Sequence, residues 1–169
     1  MSKTYSVVNG AIPAAAAAVP IALTTTIKTT MQIATNTTNN AIRVVEWWTE
    51  YDGSAAATPV KTELLRSTGG PQTTLTAYGA GDISASNDPN APTTSIQLGT
   101  ALSGFNNTTT EVTPTGVGNL QTHFVPPTSG IYIQFPLGRE PEIAKAQFLR
   151  HRVTATAAVN CYAGVTWEE

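Results

Sequence analysis

The chain has 169 residues, the ordinary size of a single domain with one core. Only 12% of them are charged, against a usual share of about 25%, and the net charge of −2 falls in no blocks. Without a basic patch nucleic acid is not an expected partner, and without an apolar run of about 18 residues neither is a membrane.

The polar surface is supplied largely by Thr, Ser, Asn and Gln, and Thr, with its branched Cβ, fits strands better than helices. Together with 13 Gly and 11 Pro this composition predicts an all-β fold of strands and turns. The start, Met1-Ser2-Lys3-Thr4-Tyr5, has no charged segment leading into an apolar one, so it does not read as a signal peptide.

In chain order, residues 4–8 are β-prone, and the Ala run between Pro13 and Pro20 reads as an extended connection, because neither proline can donate to a ladder. Residues 1–20 are therefore expected to form an extended N-terminal arm that packs on another subunit, with Ile12 and Val19 as contacts, and residues 21–169 a single sandwich domain. Ile21, Leu23, Thr25 and Ile27 alternate with polar or small residues, the period of a strand with one buried face. Residues 41–51 carry apolar side chains on both faces and predict a central or doubly covered strand. Asp52-Gly53 turns the chain, and residues 60–65 look like the partner of that strand across a hairpin.

Short strands are predicted at 73–78 and 95–98, with a surface loop over 79–93 between them. Residues 103–121 have little to bury and are expected to be mobile or held by a neighbour. Ile131, Ile133 and Phe135 alternate, residues 136–142 break the run, and long strands follow at about 146–157 and 159–168. Some nine strands predict a two-sheet β-sandwich with jelly-roll or another Greek-key topology.

Chemistry-bearing residues are scarce. His123 and His151 have no acidic cluster in sequence and read as surface or hydrogen-bonded core residues, and Cys161 shares a strand face with Val159, Val165 and Trp167, which predicts a buried, inert thiol. The stretch from Asp82 to Asp88 imitates the start of a calcium loop but places Asn87 sixth and Thr93 twelfth, where Gly and a bidentate Glu are needed. No nucleophile elbow, phosphate loop, or zinc or redox pair occurs. No cofactor, metal site or catalytic residue is therefore assigned, and no enzymatic activity is expected. Asn36, Asn106 and Asn107 match the N-glycosylation pattern by composition alone.

Trp47 and Trp48 are adjacent on a strand and must face opposite ways, one toward the core and the other toward a covering loop or an intersubunit contact. An exposed aromatic there could also stack on a sugar ring. Residues 136–142, with Leu137, Arg139 and Glu140 between two prolines, form a turn suited to an intersubunit contact in which Arg139 and Glu140 pair across the boundary.

Five phrases resemble small virion structural proteins of tailed bacteriophages, of the capsid decoration or cement kind. They are Lys3-Thr4-Tyr5-Ser6-Val7-Val8-Asn9-Gly10; Arg43-Val44-Val45-Glu46-Trp47 running into Asp52-Gly53-Ser54-Ala55; Asn87-Asp88-Pro89-Asn90-Ala91-Pro92; Pro136-Leu137-Gly138-Arg139-Glu140-Pro141-Glu142; and Trp167-Glu168-Glu169. The resemblance implies a virion location and a role in a protein shell, with copies of the chain and a major capsid protein as partners, and carries over no functional residues. The composition also suits a carbohydrate-binding β-sandwich module or an extracellular filament subunit.

Overall fold

In the last strand Val159, Cys161, Ala163, Val165 and Trp167 project to one side, and all five are buried. The same period of two organises the rest of the chain in the computed structural model, which describes residues 2–10, 19–23, 27–38, 41–54, 57–108 and 110–169. The strands are β1 (Thr4–Val8), β2 (Ile21–Leu23), β3 (Ile27–Ala34), β4 (Ile42–Gly53), β5 (Val60–Ser67), β6 (Thr76–Ala77), β7 (Ser84–Ala85), β8 (Gly104–Phe105), β9 (Gly118–Val125), β10 (Gly130–Gln134), β11 (Glu142–Ile143), β12 (Phe148–Thr154) and β13 (Val159–Glu168). A single 3₁₀ turn at Ala80–Asp82 is the only helical element among the described residues.

Two antiparallel sheets result. The first runs β10-β4-β13-β1-β7, with β11 beside β4 and β2 beside β13; the second runs β6-β8-β3-β12-β5-β9. The pairs are nested along the chain: β1 and β2 with β13, β3 with β12, β4 with β10 and β11, and β5 with β9. Successive pairs alternate between the sheets, which is the strand order of a jelly roll. The expected all-β, two-sheet sandwich is therefore the observed one.

Several expectations are corrected. The strand at 41–51 and the one at 60–65 are not a hairpin: β4 lies in the first sheet and β5 in the second, so Asp52-Gly53 leads the chain from one layer to the other. Residues 4–8 are not part of an arm, because β1 pairs with both β13 and β7 and buries Tyr5 and Val7 in the core. Asn9 continues the sheet with its side chain: its amide donates to the Cys161 carbonyl at 3.2 Å and accepts from the Ala163 N–H at 3.0 Å. Most of the Pro13–Pro20 stretch, including Ile12 just before it, lies outside the described residues. The strand expected at 95–98 is reduced to the isolated bridges Ala34–Gln97 and Leu98–Ser103.

Residues 103–121 are held by the chain itself. The Asn106 and Asn107 N–H groups continue the β3 ladder to Thr30 and Thr29, and Glu111 receives bonds from the Thr29 N–H at 2.8 Å and hydroxyl at 2.7 Å. The anchor is Arg150. Its neighbours Leu149 and His151 face the core, so Arg150 points to the opposite face, where it is fully buried beside Glu111, Val112 and Gly70. Its guanidinium reaches Glu111 at 3.2 Å, the Val112 carbonyl at 2.9 Å and Gln32 at 3.2 Å. Gly118–Val125, at the end of the same stretch, is strand β9 rather than loop.

A buried cation stripped of its carboxylate is costly. Glu111→Ala is expected to lower unfolding free energy by about 3–5 kcal/mol in urea denaturation. A loss below about 1 kcal/mol would mean that solvent replaces the pair.

Candidate functional site on the outer face of the first sheet

Strand β4 does not keep strict alternation. Its register against β13 shifts between Thr166 and Trp167, which leaves Val45 as an extra residue. This bulge lets Ile42 and Val44 face inward together with Trp47, Thr49 and Tyr51, although the two groups differ in parity. Trp47 is thereby the core tryptophan, 1% exposed, and the expectation that it takes part in an intersubunit contact is corrected. Its indole lies between the rings of His151 and His123, with centroids at 5.7 and 6.0 Å, and donates to Gln121 at 3.1 Å.

His151 is fully enclosed. Its ring nitrogens meet the hydroxyls of Thr30 and, at 2.9 Å, Thr62, and burial pushes its pKa down to about 3. A neutral imidazole with both nitrogens occupied is a structural group rather than a proton carrier. Cys161 is equally enclosed, and burial pushes its thiol up to about 12, so the thiolate that reaction requires is suppressed. Among the described residues no three His, Cys, Asp or Glu side chains are grouped so as to hold a metal ion.

Trp48 faces the other way and is half-buried. Its indole lies across Gly164 of the neighbouring strand: a Cβ at Gly164 would stand 2.7 Å from the ring. Tyr162, two residues along β13, meets the indole edge-on with centroids 5.0 Å apart. On the other flank Tyr132 of β10 sits opposite Trp48, is 61% exposed and bonds through its hydroxyl to Glu46, which also accepts from Thr166 at 3.0 Å. The Glu46 carboxylate raises the Tyr132 phenol pKa, its hydrogen bond being the largest cause.

Two rungs further along, Glu50 faces Gly130, and the missing side chain there lets the Glu50 stem lean over β10: its Cγ would lie 2.8 Å from a Cβ on Gly130. The result is an open depression of about 650 Å³ lined by Trp48, Tyr132, Tyr162, Glu50 and the 128–130 backbone, with no basic side chain in its wall.

The other expected contact residues are scattered. The 136–142 turn protrudes between β10 and β11, closed by the Arg139 N–H donating to the Pro136 carbonyl, with Gly138 at φ +79°. Leu137 on it is 97% exposed, Arg139 is exposed and Glu140 half-buried. Val19, also exposed, precedes β2 on the far side of the β4–β13 pair, so it does not join that turn in one patch. Tyr132, Tyr162, Glu50 and Gly164 were not singled out from sequence; their alternation with core residues along β10, β4 and β13 was the available signal. Comparison of the chain with protein-family models, curated proteins and solved structures finds no match.

Two outcomes follow from this geometry. Gly164→Val is expected to unseat Trp48, costing about 1–3 kcal/mol and shifting tryptophan emission to the red. For His151, the unfolded chain takes up a proton near pH 6.5 and the folded chain only near 3. Its contribution is therefore complete above about pH 6.5, and stability falls by about 1.4 kcal/mol per pH unit across that interval. Urea denaturation at pH 7 and pH 4.5 is expected to show a smaller acid loss in His151→Gln than in the parent; equal losses would place the acid sensitivity elsewhere.

Proposed function

We propose that the chain is a non-enzymatic structural subunit of a bacteriophage virion, a capsid decoration or cement protein that binds copies of itself and a major capsid protein. The observation that carries this reading is the open edge of the first sheet. Strand β10 has no partner beyond β4 among the described residues, Tyr132 is exposed on it and Leu137 on the turn that follows. Exposed apolar groups beside an unpaired strand edge are features that soluble monomers avoid. The jelly-roll strand order agrees with the reading, since viral capsid domains often use it, although a fold alone does not set a function.

The enclosure of His151 and Cys161 supports a role without catalysis, because it removes two of the few groups that could act as base or nucleophile. A second reading, a carbohydrate-binding module, is favoured by the aromatic face of Trp48, Tyr162 and Tyr132 beside Glu50, since rings and a carboxylate suit a sugar's faces and hydroxyls.

The native mass of the protein, measured by sedimentation at micromolar concentration, is expected to be a multiple of the chain mass. A monomer at every concentration, together with quenching of tryptophan emission by soluble oligosaccharides, would replace the first reading with the second.

A further inference from the structure

We propose that two copies of the chain pair through β10 about a twofold axis at Tyr132, and that Arg139 of each copy enters the depression formed by Trp48, Tyr162 and Glu50 of the other. The inference rests on the assembly reading above and supplies its geometry.

The backbone of β10 points the right groups outward. The Ser129 carbonyl accepts from the Tyr51 N–H and the Phe135 N–H donates to the Val45 carbonyl, each at 2.9 Å, so the odd-numbered residues of this strand face β4. In an antiparallel ladder the direction alternates, and the N–H and carbonyl groups of Gly130, Tyr132 and Gln134 therefore face the free edge. Nothing along Gly130–Gln134 guards that edge: the strand holds no Lys, no Pro and no charged residue.

A twofold axis at Tyr132 makes Tyr132 its own hydrogen-bonded partner, sets Gln134 of one copy opposite Gly130 of the other, and sets Pro136 opposite Thr128. The protruding turn of each copy is thus delivered to the 128–130 wall of the other's depression. The chemistry of the two surfaces matches. Arg139 is exposed and, among the described residues, makes no ion pair. The depression offers it the rings of Trp48, Tyr132 and Tyr162 and the Glu50 carboxylate, with no competing basic side chain. A guanidinium suits such a place because it stacks on aromatic rings and binds a carboxylate through two parallel hydrogen bonds. Pro136, Pro141 and the bond from the Arg139 N–H to the Pro136 carbonyl restrict the turn before contact, so little chain entropy is lost when it docks. The contact is isologous and closes at two copies, leaving other surfaces for a shell.

Sedimentation equilibrium on the full chain tests this with two pairs of variants. Tyr132→Pro removes the outward donor without touching the bonds to β4, whereas Tyr132→Thr keeps the donor and removes the ring. The proline variant is expected to lose the dimer and the threonine variant to retain it. Arg139→Glu and Glu50→Arg are each expected to weaken dimerisation about tenfold or more, and the two together to restore it. Should Tyr132→Pro fail to fold by circular dichroism, the charge exchange decides alone. An assembled parent whose mass is unchanged by charge reversal overturns this geometry and leaves the assembly reading intact; a parent that is monomeric throughout overturns both.

Discussion

Every long strand in the first half of the chain is closed by a strand in the second half, and this nesting is the constraint on which the rest of the structure depends. Because side chains alternate with a period of two, a slip of one residue in any pair would turn its buried face to water. Two of the three departures from period are placed where they correct the faces. The extra residue at Val45 brings Trp47 inward, and a shift between His151 and Arg152 leaves Thr30 over to meet the His151 ring. Both adjustments converge on one cluster, in which Trp47 from one sheet touches His151 and His123 from the other. The sandwich is pinned there by a polar contact as well as by apolar area.

The second sheet is covered on its far side by the chain's own loops. Arg150 is enclosed where Glu111 and Val112 lie over it, and Glu111, Gln32 and the Val112 and Gly70 carbonyls take up most of its hydrogen-bonding capacity. Among the described residues the first sheet has no such cover. Its outer face carries Trp48, Tyr162 and Tyr132 in partial contact with water, and its β10 edge is open. This asymmetry, with one face sealed within the chain and the other left with rings and a carboxylate, directs attention to the first sheet as the side that meets something else.

How much of this could be read beforehand depended on which force set each feature. Alternation in β10 and β13 reflects burial of one face, and both strands were legible. The opposite placement of Trp47 and Trp48 was legible for the same reason, but their assignment to core and surface was not, since it depends on a bulge defined only by the partner strand. Strand β9 was missed because its sequence GNLQTHFV is mostly polar and only Val125 is fully buried; it is a strand by virtue of pairing with β5. Residues 103–121 were misjudged because their partners, Arg150 and Thr29, lie far away in sequence, and a count of apolar residues does not register an ionic anchor. Of the candidate site, the tryptophans and the 136–142 turn were visible, whereas the depression was not, because glycines at 130 and 164 create it by what they lack.

The order of the strands also bears on how the molecule is made. Strand β13 lies in the middle of the first sheet, between β4 and β1, yet it is synthesised after both of them. Until it arrives, β4 and β1 each present an unpaired inner edge, and Tyr5 lacks the Trp167 ring on which it stacks. Until β13 is made the nascent polypeptide is therefore exposed to mispairing along both edges, and its low charge gives little repulsion between neighbouring chains on a polysome.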